Sequence, residues 1–343
     1  MSTDTQTLDI PKVTAYLEEH LEGFEGPLEV SKFQAGQSNP TFLLKTPSRN
    51  FVLRRKPPGV LLKSAHAVDR EFRVQKALQD TDVPVSKMHL LCEDDDVIGS
   101  AFYIMDHVNG RNFMDPRMPD ETNETRAGIM DEMNRVLAAL HDVDINAVGL
   151  ADYGPPGNYY ERQVGRWTKQ YRASETEDQP AMNELIERLT ASIPADDGQR
   201  TLVHGDYRID NMMFEKDGTK CLAVLDRELS TIGHPYADLA AVIMQWQMPA
   251  GPEGRGFGGA DRKALGVPTD EEFIAKYCER RGLDGIDNFG FYLGFCFFRM
   301  AGIIQGVLKR ALDGNASNPE RALKVGAYVP VFAANGLKAL ERK

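Results

Sequence analysis

The chain is short of cysteine, short of basic charge, and without internal repeats or long uninterrupted apolar runs, and each shortage excludes something. Its four cysteines, Cys92, Cys221, Cys278 and Cys296, are scattered with no C-x-x-C pair, which argues against a zinc knuckle or a thioredoxin-type dithiol and reads as reduced core thiols. The longest apolar candidate, Ala237 to Met244, is short and carries Asp238, whereas a membrane helix needs ~20 apolar residues, so no membrane partner is expected. Met1 to Leu8 is polar and acidic, without the basic start and apolar stretch of a secretory signal, so a cytoplasmic location is expected. With 40 Lys and Arg against 51 Asp and Glu, the net charge is −11, which argues against a nucleic-acid partner. What remains is ordinary globular composition. The 343 residues are 42% hydrophobic and 27% charged, enough to bury a core and, at ~150 residues per domain, to build about two lobes.

Asp9 and Pro11 open a helix whose apolar face is Ile10, Val13, Leu17 and Leu21, and Gly23 ends it. Strand-like runs follow at Leu28 to Phe33, Thr41 to Lys45, Asn50 to Arg55 and Ala101 to His107, with one helix inserted from about Ala67 to Leu78. After Gly110 the pattern turns helical: Glu121 to His141, Tyr159 to Tyr171, Ala181 to Ser192, Asp238 to Gln247, Asp270 to Arg281 and Phe289 to Leu312. A hairpin interrupts it, Met212 to Glu215 and Cys221 to Leu225 around the turn Lys216-Asp217-Gly218-Thr219. Strands followed by helices give an α+β chain, an antiparallel-sheet lobe over residues 1–107 and a helical lobe over 108–343. Pro249 to Gly266 holds six glycines and reads as a mobile surface loop, with an ordered lid as the alternative.

The chemistry concentrates in Leu202-Val203-His204-Gly205-Asp206-Tyr207-Arg208-Ile209-Asp210-Asn211 and in Val224-Leu225-Asp226. Asn211 stands just before the first hairpin strand and Asp226 just after the second, with Asp206 five residues before Asn211. Phosphoryl transfer needs a carboxylate that orients an attacking hydroxyl and accepts its proton, and oxygen ligands that hold Mg²⁺ against nucleotide phosphates. Asp206, and then Asn211 with Asp226, supply that set. A metal-dependent hydrolase built on His204 and Asp206 would need clustered His and carboxylate ligands that the sequence does not offer.

The spacing is that of the H-x-D-x-x-x-x-N loop of protein kinases, and the run resembles the aminoglycoside phosphotransferase family of kinase-like enzymes. That resemblance implies a bilobal protein-kinase-like fold, Mg²⁺, and ATP or GTP as co-substrate. Asp206 is then the catalytic base, Asn211 and Asp226 the metal ligands, and His204 and Asp238 supports of the loop. Arg54, in Phe51-Val52-Leu53-Arg54, stands where kinases keep a phosphate-binding Lys, with Glu71 as its ion-pair partner; strand alternation turns Arg54 or Lys56 inward rather than Arg55. Met105-Asp106-His107-Val108 takes the hinge position, where backbone at Asp106 and Val108 meets adenine and Met105 packs behind. Phe33 to Asn39 replaces the glycine-rich loop with a single glycine; it is either a plain hairpin turn or a phosphate loop near Ser38. Arg208 follows the catalytic Asp by two residues, where kinases keep a Lys on the transferred phosphate.

Four further strings resemble the kinase-like domains associated with acyl-CoA dehydrogenases and their free-standing bacterial relatives: Arg54 to Gly59, Ser64 to Glu71, Asp152 to Tyr159 and Phe298 to Gly306. They imply a small-molecule hydroxyl acceptor, with a hydroxyacyl-CoA-type substrate, and a functional link to an acyl-CoA dehydrogenase. Two positions depart from that branch: Arg227 replaces an aromatic residue beside the metal Asp, and His234 replaces an acidic one before Pro235. A cation beside Asp226 competes for its carboxylate, which makes a nucleotide-binding pseudokinase or regulatory module the alternative. Arg162, Arg166 and Lys169 recur on one helix face, either as a solvated stripe or as a receiver for an anionic tail such as a CoA phosphate.

Overall fold

A computed structural model describes residues 8–33, 39–57, 67–251, 254–316 and 318–342. In chain order the elements are α1 (Ile10–His20), β1 (Glu29–Lys32), β2 (Thr41–Lys45), β3 (Asn50–Arg55), α2 (Val68–Ala77), β4 (Met88–Cys92), α3 (Asp95–Ile98) and β5 (Phe102–Asp106). They continue with α4 (Asn123–His141), α5 (Tyr159–Ser174), α6 (Pro180–Ala191), β6 (Thr201–Val203), β7 (Met212–Phe214), β8 (Cys221–Val224), β9 (Thr231–Gly233) and α7 (Tyr236–Trp246). The chain closes with α8 (Arg262–Leu265), α9 (Asp270–Arg281), α10 (Phe289–Leu312), α11 (Pro319–Gly326) and α12 (Val329–Leu340). Two compact units result, Met1–Phe113 with Val143–Leu150 and Ile209–Ser230, and Met114–Asp142 with Ala151–Arg208 and Thr231–Lys343.

In the first unit a five-stranded antiparallel sheet runs in the order β1-β2-β3-β5-β4. Period-two alternation sends Phe42, Leu44, Phe51, Leu53, Phe102 and Ile104 to one face, where they bury with Val13 and Leu17 of α1. Ala101 and Tyr103 go to the opposite face with Val68 of α2 and Met88 of β4, while Phe72 and Met105 pack against them. Each such side chain, fully buried, stabilises the fold by roughly 1.5–3 kcal/mol.

The unit boundary differs from the division at residue 107. Residues 209–230 join the sheet unit because their backbone is bonded into it: Val224 donates to Pro84 O at 2.9 Å, and Arg111 and Phe214 exchange two hydrogen bonds at 2.8 Å. Residues 143–150 follow for a similar reason, Arg73 reaching Gly149 O at 2.8 Å. β4 and α3 were not expected from the sequence. Met88–Cys92 lacks β-branched residues, so its strand comes from pairing with β5 rather than from propensity.

In the second unit α10 packs against α5, α6, α7, α11 and α12, and β6 pairs antiparallel with β9. Of the described helices, α10 alone is long and apolar enough by composition to cross a membrane. However, 67% of its apolar window is buried by these neighbours, which is what a core helix requires. α9 keeps its expected limits because both ends are capped, by a Thr269–Glu272 capping box and by Gly282 in the left-handed region.

The glycine-rich segment is folded back on α7 rather than free. Phe257 donates to Trp246 O at 2.8 Å, Gly258 to Met248 O at 2.8 Å, and the Phe257 ring meets Trp246 edge-on at 5.5 Å. Gly254, Gly256 and Gly258 serve close approach: a Cβ at Gly256 would fall 2.1 Å from Met248 O. Gly306 in α10 has no such neighbour within 4 Å. Gly256→Ala is therefore expected to cost about 1–3 kcal/mol, whereas Gly306→Ala stabilises by about 0.5–1 kcal/mol; thermal unfolding of the two variants in opposite directions is the check.

Candidate active site

Arg54 is set by the register of the sheet. It lies directly across from Tyr103 on β5, on the face that α2 covers, whereas Arg55 turns to the opposite face, 5.8 Å over the Phe42 ring. From there Arg54 Nε meets Glu71 Oε2 at 2.9 Å, and Nη2 meets Asp226 Oδ1 at 3.0 Å and Glu228 Oε2 at 3.7 Å. Glu71 is 2% exposed and fully satisfied: Asn39 donates to Oε1 at 2.6 Å and Tyr103 to Oε2 at 3.0 Å. Burial lowers the guanidinium pKa, but the charges of Glu71, Asp226 and Glu228 outweigh it, and the net shift is upward. Arg54, Glu71 and Asp226 are thus brought together in one unit.

Asn211 closes a short 3₁₀ turn and accepts Leu225 N–H on its backbone oxygen at 2.8 Å, which pins the turn beside the end of β8 and next to Asp226. Asp226 itself has a positive φ of 58° and its side chain is 39% exposed, whereas Arg227 is 1% exposed. The carboxylate of Asp226 is paired with Arg54 at 3.0 Å. Among the described residues no three His, Cys, Asp or Glu cluster as a metal cage. Asn211 and Asp226 with Glu228 nearby make an oxygen-only set, which suits Mg²⁺ because that ion takes one or two carboxylates and completes its shell with phosphate and water.

The remaining first-unit candidates are less committed. Asp106 N–H is taken by Lys87 O at 2.9 Å and its carboxylate by His89 at 2.7 Å, leaving Val108 without a hydrogen bond among the described residues. Met105 packs against the cluster under α2. Ser38 lies outside the described residues.

The second unit holds His204, Asp206, Arg208 and Asp238. Gly205 turns the loop at φ 84°, which side chains rarely adopt. Asp238 receives His204 N–H at 2.6 Å and Gly205 N–H at 2.8 Å, and His204 Nδ1 receives Asp206 N–H at 3.2 Å. α7 begins at Tyr236, so Asp238 braces this loop and does not cap its own helix. Asp206, 35% exposed, pairs with Arg208 at 3.3 Å.

Sequence reasoning missed what lies behind Asp238. His141 Nε2 faces Asp238 Oδ2 at 3.4 Å, and its Nδ1 lies 2.7 Å from Tyr277 OH. Arg281, a donor only, reaches the same hydroxyl at 2.7 Å and pairs with Asp142 at 2.5 Å. Tyr277 therefore accepts from Arg281 and donates to His141 Nδ1, so the imidazole carries its proton on Nε2, toward Asp238. Polar groups connect Asp142 at the surface to the loop that carries Asp206. The sequence signal was a lone His at a helix end, which reads as a cap.

Burial pushes the His141 pKa down, while His141 and the loop amides hold Asp238 below the usual carboxylate range against the opposing effect of its burial. Both depressed values act in one direction. The unfolded His titrates near ~6.5 and the folded one lower, so stability present above that pH is lost on acidification; the Asp238 contribution goes at still lower pH. The unfolding midpoint is expected to fall from pH 7 to pH 5, with a shallower slope in His141→Gln. His234, also depressed by burial, retains part of the slope.

The chain matches the phosphotransferase enzyme family over residues 29–276. It is 46% identical over 319 residues to acyl-CoA dehydrogenase family member 10 of Mus musculus, covering 91% of this chain and 30% of that protein. To acyl-CoA dehydrogenase family member 11 of Homo sapiens it is 42% identical over 339 residues, 97% of this chain and 43% of that one. The chain thus spans less than half the length of these relatives. A crystal structure from Ralstonia eutropha JMP134, provisionally named an aminoglycoside phosphotransferase, superposes with a TM-score of 0.90 at 47% identity, over 98% of this chain and 99% of that one. Spectinomycin phosphotransferase, solved with ADP and spectinomycin, shares the fold at a TM-score of 0.63 and 12% identity, over 97% and 99% of the two chains.

Proposed function

Because the chain belongs to the phosphotransferase enzyme family and has the kinase-like fold of the aminoglycoside phosphotransferases, we propose that it moves the γ-phosphate of a Mg²⁺-nucleotide, ATP or GTP, onto a hydroxyl of a small metabolite. The observation that carries this reading is the Arg54 cluster: one guanidinium against the carboxylates of Glu71, Asp226 and Glu228. One positive charge against three negative ones leaves an excess that a divalent cation neutralises. Asn211 and Asp226 would hold that ion, and a bound Mg²⁺ screens the phosphate oxygens and draws charge from the leaving group.

In this reading Arg54 is positioned by Glu71 and Tyr103, so a single rotamer presents its remaining donors to phosphate. Asp206 orients the acceptor hydroxyl and takes its proton, while Asp238 fixes the loop pose on which that orientation depends. Arg208, resting on Asp206, supplies positive charge for the transferred phosphoryl group. The relatives named as acyl-CoA dehydrogenase family members support a hydroxyacyl-CoA-type acceptor and a functional link to an acyl-CoA dehydrogenase.

Thermal unfolding with ATP or GTP, with and without Mg²⁺, is the test. Saturating nucleotide at ~100 Kd adds about 2.7 kcal/mol, so a Mg²⁺-dependent rise of a few degrees is expected in the wild type and none in Asp226→Ala. Asp206→Asn is expected to keep that shift and lose phosphoryl transfer by roughly 10²–10⁴-fold. A wild type that shows the Mg²⁺-dependent shift but turns over no nucleotide would instead favour the nucleotide-binding, non-catalytic module, and a wild type whose midpoint no nucleotide moves would count against both readings.

A further inference from the structure

Two guanidinium groups meet one indole in the helical unit without an acidic partner between them. Arg166 precedes Trp167 on α5, and Arg299 comes from the middle of α10; each Cζ lies 5.7 Å from the Trp167 ring centroid. The indole is 9% exposed and packs on α10, where a Cβ at Gly302 would meet its Cε3 at 3.6 Å. Arg299 is half-buried and donates from Nη2 to Gly205 O at 3.2 Å, the carbonyl immediately before Asp206. Neither Arg166, Lys169 nor Arg299 forms an ion pair with any described carboxylate, although most other arginines of this unit do. Arg162, the third cation of the stripe seen in the sequence, is spent on the carbonyls of Pro156 and Gly157 at 2.7 and 2.5 Å.

The position of each guanidinium over the ring bears on what it remains free to do. A guanidinium held over an aromatic ring is attracted through its face, while its N–H donors point outward in the plane. Arg299 uses one of its five donors on Gly205. Two like charges packed on the same low-dielectric ring repel each other, and the group that relieves this is an anion with paired oxygens, a carboxylate or a phosphate. A cationic amine is rejected by the same pair.

We propose that Arg166 and Arg299, which both approach the Trp167 ring, bind an anionic group of the phosphate acceptor, a carboxylate or phosphate, and so present its hydroxyl to Asp206. The inference rests on the phosphotransfer reading and deepens it: the acceptor is an acidic or phosphorylated alcohol, not a polycation. The charge sits on α5 and α10, while Gly205 ties it to the loop that carries the base.

The test is isothermal titration of the full chain, with and without Mg²⁺-ADP, against 3-hydroxybutyrate, coenzyme A and the neutral 3-hydroxybutyramide. Arg299→Gln keeps an amide donor for Gly205 O but removes the charge, and Arg299→Lys keeps the charge; Arg166→Gln, at an exposed position, guards against a variant that fails to fold. The wild type is expected to bind at least one of the two anions and not the amide, with Arg166→Gln and Arg299→Gln each weakening it about tenfold and Arg299→Lys less. Binding of the hydroxy acid assigns the anion to the acceptor's own carboxylate, and binding of coenzyme A alone assigns it to a carrier phosphate. No anion binding, equal binding of acid and amide, or anion affinity unchanged in both Gln variants overturns the proposal. Mg²⁺-ADP affinity is scored separately in the same samples: its absence in the wild type sinks the phosphotransfer reading, whatever the anions do.

Discussion

The first unit depends on keeping one cation charged out of water. Arg54 is 12% exposed and cannot shed its proton, so the fold must surround it with carboxylate oxygens or lose several kcal/mol. That requirement fixes α2 against the sheet through Glu71, fixes Tyr103 opposite Arg54, and draws the end of the β8 hairpin, with Asp226 and Glu228, to the same point. The electrostatic demand and the proposed catalytic one coincide. A guanidinium that needs three acids is also one whose acids need a second cation.

The helical unit solves a different problem, the pose of a short loop with no regular structure of its own. Its support is a buried carboxylate rather than a buried cation: Asp238 collects two consecutive amides, and His141, itself held by Tyr277, meets the same oxygen that takes the His204 amide. Hydrogen bonds of fixed polarity leave such a group few alternative arrangements, which is how a buried polar network specifies a single geometry. Gly205 contributes by tolerating the backbone turn between them.

How much of this was legible in the sequence follows from how local each signal is. Arg54 was recoverable as one of two candidates because strand alternation excludes Arg55, and the register then selects it. Asp206, Asn211 and Asp226 stand out as candidates because their spacing is a local pattern of short strands and turns. β6 and β9 were not, since Thr201–Val203 pairs with Thr231–Gly233 across almost thirty residues and three residues carry too little periodicity. α11 and α12 went unread although Pro319 and Pro330 stand at their starts, a signal available to inspection. The run from Pro249 to Gly266 misled for a physical reason: glycine marks both freedom and close approach, and composition does not distinguish the two. Tyr103 and Tyr277 resembled ordinary core aromatics until their hydroxyls had partners.

The discontinuity of the sheet unit bears on when it can exist. The backbone of Phe214 and Val224 and the carboxylate that meets Arg54 all lie more than a hundred residues beyond the residues they bond, Arg111, Pro84 and Arg54. A ribosome that has released only the first five strands has therefore made a sheet whose buried arginine still lacks two of its three acids, Asp226 and Glu228. Closure waits for the hairpin, and the loop carrying Asp206 must be synthesised before it. Long-range pairing of this kind slows folding and leaves the early intermediate exposed. The nascent N-terminal part is thus a natural client for chaperones, and separating the chain near residue 113 would yield a fragment with its central charge only partly answered.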